Sequence, residues 1–157
     1  MRERFAEEAL KYFGFPSSPY LGAENGQDEN GFDCSGFIVF LLRKIGFPLS
    51  EEIRHCNEFF DFFGILIHEE FAGKGDLIFF SRNGLVPTHM GILLSSPVKE
   101  IAYYIHSPGK YNKKVIVSNL FKDKIPFAIG QIYSVNPIGY KRLAVKIKNK
   151  RYQQIFY

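Results

Sequence analysis

Three side chains of this 157-residue chain have the types and the order that a thiol-based catalytic site requires. Cys34 lies in the stretch GFDCSG directly before an apolar run, His89 lies in THMGI, and His106 lies in IHS. A thiol attacks a carbonyl carbon as the thiolate, and a helix N-terminus or a neighbouring imidazolium lowers the pKa of a cysteine. The pattern therefore predicts Cys34 as a nucleophile, although Cys34 taken alone is equally compatible with a buried structural cysteine.

We assign different roles to the two histidines. His89 begins an apolar strand, and a side chain at a strand end can project into a cleft, so we predict His89 as the general base. A general base needs a third group that holds its ring and fixes its tautomer. If the strands at 89–95 and 101–106 pair as antiparallel neighbours, the start of one lies opposite the end of the other. His106 can then hydrogen-bond the distal nitrogen of His89.

The nucleophile is expected at the start of a buried helix. Residues 34–45 are apolar almost all round, which is typical of a central helix, with Asp33 as its N-cap and Gly46 as its stop. The free N–H groups at that end can stabilise the oxyanion of a tetrahedral intermediate. Gly36 is expected to let the helix pack closely against the sheet or the substrate.

The remaining pattern predicts an α+β fold, in which N-terminal helices pack on one face of an antiparallel sheet of five to six strands. Further helices are expected at 4–13 and 51–63, separated from each other by a long loop before Cys34 and by the central helix. Short β-type runs follow Gly75, at 77–81, 89–95, 101–106, 114–117 and 131–135, and the last can continue through 140–147.

Length and composition indicate one globular domain over residues 1–157. The chain is 46% hydrophobic and 23% charged, and a chain of this size can bury a stable core without disulfides or metals. The charged N-terminus predicts no signal peptide, and no apolar run reaches the length of a membrane span. A cytoplasmic location, a leaderless export route and earlier removal of a leader all remain open.

The positive charge is concentrated in the C-terminal segment 141–157. Six Lys and Arg residues and no acidic residue lie between Lys141 and Arg151, and the rest of the chain holds 14 basic and 16 acidic residues. This segment can be a patch for an anionic polymer, or a solvated edge strand in which Leu143, Val145 and Ile147 alternate with mostly basic neighbours. We favour the edge strand and do not expect nucleic acid as a partner.

Neither cysteine is expected to bind a metal or to form a disulfide. Cys34 and Cys56 stand in different contexts, which favours a reactive thiol at 34 and a small core residue at 56. A zinc site at His55, Cys56 and His68 lacks a fourth ligand and the usual paired spacing. We therefore expect no metal and no cofactor, and assign His55 and His68 to the surface or to helix caps.

The ordered motifs FDCSG, GDLIFF, HMGI and IHS resemble those of the NlpC-type cysteine peptidases, bacterial cell-wall endopeptidases with a papain-like core. The resemblance extends from about residue 9 to residue 140. It implies Cys34 as nucleophile, His89 as general base and His106 as the orienting third member. It also implies hydrolysis of an amide in the stem peptides of peptidoglycan, commonly the bond between γ-D-glutamate and the diamino acid.

The segment before the nucleophile departs from this family pattern. Family members carry a stretch like Tyr-x-Trp-Gly-Gly, whereas this chain has Tyr20 followed by Leu-Gly-Ala and no Trp. Tyr20, Asp33 and Ser35 are our candidates for contacts with the substrate or the oxyanion. Two other interpretations stay open: an amidase or acyltransferase of the same superfamily with a substrate other than peptidoglycan, and a non-catalytic binding module with the same fold.

Overall fold

The computed structural model describes residues 1–120, 137–146 and 152–153. Its three α-helices are α1 (Arg2–Leu10), α2 (Cys34–Lys44) and α3 (Cys56–Phe62), and a short 3-10 helix follows at Glu69–Phe71. Asp33 is the N-cap of α2, and Gly46 follows its end with φ of 73°, so the predicted start and stop of this helix are confirmed.

The described strands form one large antiparallel sheet and two small two-stranded sheets. The six-stranded sheet has the order β3-β8-β4-β5-β6-β7. Its strands are β3 (Ile65–Ile67), β4 (Leu77–Phe80), β5 (His89–Leu93), β6 (Ala102–His106), β7 (Ile116–Leu120) and β8 (Pro137–Arg142). The small sheets join β1 (Gln27–Asp28) to β2 (Gly31–Phe32), and β9 (Val145–Lys146) to β10 (Tyr152–Gln153). The predicted α+β class and sheet size are confirmed.

The helices cover one face of this sheet. Side chains that alternate along β4 and β5, such as Phe79 and Met90, join the helical residues in one buried cluster. The intervening side chains, such as Phe80 and Leu93, form a second cluster that contains no helical residue among those described. Since successive residues of a strand point to opposite faces, this division follows from the alternation in the sequence. The helix α2 is thereby held against β5, beside His89.

Several elements differ from the prediction, among them α1, which spans Arg2–Leu10 instead of 4–13, and the hairpin of β1 and β2, which lies in the predicted loop. The helix α3 begins at Cys56, five residues later than expected, because the Glu58 carboxylate accepts the backbone N–H groups of Arg54 and His55 and so defines the helix start. The strand β7 begins at Ile116, because Val115 instead pairs with the backbone of Phe15. The strand β3 was not predicted, and the strand expected at 131–135 lies outside the described residues.

The start of the basic C-terminal segment is part of the folded core. The strand β8 lies between β3 and β4, so the interpretation as an edge strand is wrong for Lys141 and Arg142. Lys141 is buried, and the Arg142 guanidinium donates to both carboxylate oxygens of the fully buried Asp76, at 3.0 and 2.9 Å. Arg2 of α1 also donates to Asp76, at 3.0 Å. These two cations of the segment therefore serve the fold.

Within the described part of the chain, no helix combines the length and the apolar character needed to cross a bilayer.

Candidate active site

The first turn of α2 is fixed by the Asp33 carboxylate. Its Oδ1 accepts the backbone N–H of Gly36 at 2.7 Å, while the Asp33 N–H donates to the carbonyl of Gly26 at 2.8 Å. A Cβ atom at position 36 would overlap the Gly26 carbonyl oxygen. Gly36 therefore allows a close approach of the preceding loop, rather than the close packing of the helix on the sheet or the substrate that was expected of it. These contacts hold the backbone at the start of α2, where Cys34 lies.

Cys34 lies between this helix end and the start of β5. The backbone N–H groups of Ser35 and of Met90, the residue after His89, both point at the sulfur and lower the pKa of the thiol. Burial and the negative charge of Asp33 act in the opposite direction and are stronger, so the pKa of Cys34 rises to about 11. The resting sulfur is thus a protonated thiol, not the thiolate that the helix end alone would favour.

The two histidines form the contact that was expected from strand pairing. The strands β5 and β6 are antiparallel neighbours, and His89 Nε2 lies 2.7 Å from His106 Nδ1. Burial, together with the nearby His106, Arg82 and Lys110, lowers the pKa of His89 well below its usual value. Burial also lowers the pKa of His106 to about 4. Both rings are therefore neutral near pH 7, as is the thiol.

Glycine at position 91 makes the contact between the strands possible. An added Cβ would lie 2.9 Å from the Ile105 carbonyl oxygen and 3.1 Å from the His106 Cβ. A backbone oxygen at that distance cannot move aside without moving the strand. The HMGI motif therefore supplies both His89 and the space that lets His106 reach it.

Ser107 connects the two halves of the site. Its buried hydroxyl lies 2.6 Å from the carbonyl oxygen of Phe32 and 2.9 Å from the Ser17 hydroxyl. Because a hydroxyl has one hydrogen, Ser107 donates to the Phe32 carbonyl and accepts from Ser17. This bond ties the residue after His106 to the strand that leads into Cys34. The sequence shows Ser107 beside His106, but nothing in the pattern indicates its partner.

Arg54 is the main site residue that sequence reasoning missed. It is only 7% exposed, and its guanidinium binds the Asp33 carboxylate through both Nη atoms and donates to Ser35 Oγ at 3.0 Å. It also donates to the carbonyl oxygens of Ala23 and Asn25, at 2.8 and 2.6 Å. The positive charge of Arg54 lowers the pKa of the Cys34 thiol, partly offsetting Asp33. One side chain thus holds the loop before the nucleophile and balances the charge beside it.

Tyr20 lies on this arginine. The Arg54 guanidinium carbon is 5.4 Å from the centre of the Tyr20 ring, within the range of a cation–π contact. The other neighbour of Tyr20 is His55, with ring centres 4.7 Å apart and the Tyr20 hydroxyl 3.1 Å from His55 Nε2. The structure therefore joins Tyr20, Asp33 and Ser35 through Arg54, with Tyr20 exposed and the other two residues buried.

The three residues that were considered as zinc ligands instead lie at the starts of two helices. His55 is the N-cap residue of α3, Cys56 begins that helix and is buried, and the largely exposed His68 caps the 3-10 helix through Nδ1. Both cysteines are free thiols. Among residues 1–120 and the described part beyond them, no three His, Cys, Asp or Glu side chains are grouped as metal ligands would be.

The sequence of this chain is similar to that of a known protein family. The family model described as "NlpC/P60 family" matches residues 19–126. The bifunctional muramidase/DL-endopeptidase CwlT of Bacillus subtilis is 35% identical over 98 residues, which is 60% of this chain. Those residues amount to 27% of CwlT, so the chain spans about a quarter of that relative.

Solved structures show the same fold. The NlpC/p60 domain of the peptidoglycan hydrolase SagA superposes with a TM-score of 0.62 at 25% identity, over 91% of this chain and 99% of that domain. An NlpC/P60 family protein from Bacillus cereus gives a TM-score of 0.67 at 23% identity, over 91% of this chain and 40% of that one. The papain-like α+β class expected from the sequence is therefore confirmed.

Proposed function

Since this chain belongs to the NlpC/P60 family of peptidoglycan hydrolases, whose members are cysteine peptidases, we propose that it hydrolyses an amide bond in the stem peptides of peptidoglycan. In this proposal Cys34 is the nucleophile, His89 is the general base and His106 orients His89. The bond is that between γ-D-glutamate and the diamino acid. The segment 1–157 acts as one catalytic domain.

The observation that carries the proposal is that the Cys34 sulfur lies at the start of β5, next to His89, and that His89 contacts the buried His106. The N–H of Met90 faces the Cys34 sulfur, Met90 directly follows His89, and His89 Nε2 lies 2.7 Å from His106 Nδ1. Because His89 uses Nε2 toward His106, proton exchange with the thiol takes place at Nδ1. The contact with His106 supplies the orienting partner that a general base requires.

The raised pKa of Cys34 and the lowered pKa of His89 determine the first step. The thiol and the imidazole begin neutral, so His89 Nδ1 takes the thiol proton as the sulfur attacks the carbonyl carbon. The oxyanion that forms is stabilised by N–H groups at the start of α2. Gly36 does not contribute, because its N–H is already bound to Asp33.

The tetrahedral intermediate then collapses to an acyl-enzyme. His89 gives its proton to the leaving amine as the carbon–nitrogen bond breaks, and the acyl group stays on the Cys34 sulfur. Water attacks this thioester with His89 again as base, which releases the acid and restores the thiol. No cofactor is needed for these steps. The exposed Tyr20 provides the contact for the acyl part of the stem peptide, and the buried Asp33 and Ser35, held by Arg54, support the start of α2 beneath it.

The test is cleavage of defined muropeptides by the unchanged protein and by Cys34→Ala, with the products identified by mass. Cys34→Ala is expected to lower kcat by at least about a thousandfold, because a nucleophile has no substitute in this mechanism. Its thermal unfolding transition should stay close to that of the unchanged protein. Cys56→Ala is the matched control, since it removes the other thiol from the start of α3.

Two outcomes would contradict the proposal. Equal cleavage by Cys34→Ala and the unchanged protein would remove Cys34 from the mechanism. If no muropeptide is cleaved while Cys34 reacts with a thiol-reactive acyl probe, an amidase or acyltransferase with another substrate is the better interpretation.

A further inference from the structure

His106 has a polar partner on each side of its ring. Its Nδ1 faces His89, and its Nε2 lies 2.8 Å from the hydroxyl of Ser118 on β7. The antiparallel register between β6 and β7 sets this position, with Tyr104 opposite Ser118 and His106 opposite Ile116. The ring of the buried His106 also lies 4.8 Å from that of His89, edge-on, and 4.7 Å from that of Tyr104, measured between centres. Ser118 is half-buried.

The reaction imposes a direction on these hydrogen bonds. Once His89 has taken the thiol proton, both of its ring nitrogens carry hydrogen, so Nε2 can only donate to His106 Nδ1. A neutral imidazole carries one hydrogen, so the hydrogen of His106 must then be on Nε2. That N–H points at the Ser118 oxygen, and a buried N–H without an acceptor is costly.

From this geometry we propose that Ser118 is a positioning residue for the thiol reaction. Its hydroxyl oxygen accepts the Nε2–H of His106 and thereby holds His106 in the tautomer whose Nδ1 accepts from His89. A carboxylate or an amide oxygen in the third position would be an acceptor in any case, whereas a neutral histidine can face either way. Ser118 therefore supplies the direction that a histidine in this position lacks. The inference rests on the proposed function.

Two variants of nearly the same shape isolate the hydroxyl. Ser118→Thr keeps an oxygen at the Oγ position, and Ser118→Val replaces it by a methyl group, while both are favourable in a strand. We expect Ser118→Val to lower kcat about tenfold with little change in KM, because a hydrogen bond that strengthens with the charge on His89 is lost. Ser118→Thr is expected to stay within about twofold of the unchanged protein.

A serine in the connection between β5 and β6 serves as a control for the loss of a hydroxyl away from the site. Ser95 lies between β5 and β6, and its hydroxyl oxygen accepts the backbone N–H of Tyr103 at 3.0 Å, away from the imidazoles. Ser95→Ala is expected to leave kcat unchanged. If Ser118→Thr and Ser118→Val lose activity equally, the effect is steric and the inference is overturned.

The second measurement reads the tautomer directly. In ¹⁵N NMR spectra near pH 7 we expect His106 to carry its hydrogen on Nε2 in the unchanged protein and in Ser118→Thr. In Ser118→Val a substantial fraction should move to the Nδ1–H form. The same tautomer in all three proteins would overturn the inference. If the unchanged protein cleaves no muropeptide, the proposed function fails, and these spectra alone still decide whether Ser118 fixes the tautomer.

Discussion

Two buried aspartates each hold an arginine, one beside the candidate nucleophile and one directly before β4. Asp33 is 2% exposed and pairs with Arg54, whose side chain is 8% exposed. Asp76 is fully buried and pairs with Arg142, whose side chain is 17% exposed, and also with Arg2. Each aspartate lies beside apolar residues in a sequence motif, Asp33 in FDCSG and Asp76 in GDLIFF. Their roles differ, because Asp33 lies next to the candidate nucleophile and Asp76 does not.

The Asp76 cluster joins parts of the chain that are distant in sequence. Its carboxylate accepts from Arg2 of α1, from the backbone N–H of Gly73 and from Arg142 of β8, so it holds the N-terminal helix and two strands together. No titratable group of the candidate site shifts its pKa because of it. Its contribution is to the stability of the fold.

The Asp33 cluster has the same kind of ion pair but faces the thiol. The charge of Asp33 raises the pKa of Cys34, and the charge of Arg54 lowers it. Asp33 is needed as the cap of α2, so its charge cannot simply be removed. Arg54 makes that cap compatible with a nucleophile. The comparison teaches that a buried aspartate–arginine pair indicates a functional site only when its field acts on a reactive group.

Replacing each arginine by methionine tests this difference most strongly. Removing one partner of a buried pair leaves an uncompensated charge, so we expect Arg54→Met to lower the free energy of unfolding by about 3–5 kcal/mol. Arg142→Met should cost less, because Arg2 still binds Asp76. Only Arg54→Met should also lower kcat, because the negative charge of Asp33 beside the thiol is then unbalanced. Urea unfolding and turnover measured on the folded variants give the two quantities.

Arg142→Met is the matched control for Arg54→Met. An equal loss of kcat in both variants would mean that activity follows stability, and the distinction between the two aspartates would not hold.

The two regions also differ in how their stability depends on pH, and here the expected effect is smaller. The pKa of His106 is about 4 in the folded protein and about 6.5 when unfolded, so between these values the unfolded chain binds more protons. The contribution of His106 to the free energy of unfolding is therefore fully present above about pH 6.5. It is lost as the pH is lowered toward 4, which costs roughly 3 kcal/mol. The lowered pKa of His89 acts in the same direction. Arg142 stays charged throughout, because the pKa of an arginine lies far above this pH range and Asp76 raises it further.

The measurement is the free energy of urea unfolding at several pH values between 4 and 7, for the unchanged protein and for His106→Gln. The variant should show a shallower dependence, because it lacks one of the groups that titrate. Parallel curves for the two proteins would show that His106 is not held neutral by burial.

Sequence reasoning succeeded where the signal was local. Asp33 before an apolar run predicted the cap and start of α2, and the short spacing between β5 and β6 predicted an antiparallel hairpin. The contact between His89 and His106 followed from that hairpin. In each case the residues that determine the structure are close together in the sequence.

Sequence reasoning failed where the partners are distant. Arg54 lies 21 positions after Asp33, in a stretch that was read as part of a helix, so its role as a counter-charge was not visible. Among the described strands, β3 pairs with β8 alone, more than 70 residues later, and its three residues carry no periodicity of their own. The proton state of Cys34 depends on burial, which opposes the helix end. The opposing effects of burial and of the helix end on the pKa of Cys34 can be compared only in the folded structure.

The smallest effect concerns two glycines, one in the candidate site and one beside the Asp76 cluster. In Gly91→Ala the new methyl group would lie 2.9 Å from the Ile105 carbonyl oxygen, so β5 and β6 must separate slightly. We expect this to cost about 1–3 kcal/mol of stability, as in other overpacked interiors. Because the contact between His89 and His106 spans these strands, kcat should fall further than the loss of stability explains. Gly73→Ala is the matched control, since a Cβ there has no atom within 4 Å although the Gly73 N–H binds Asp76. It should leave both unfolding and turnover unchanged. A Gly91→Ala protein with reduced stability but normal kcat would show that the site tolerates a wider strand spacing, and the distance of 2.7 Å between the imidazoles would then not be required for turnover.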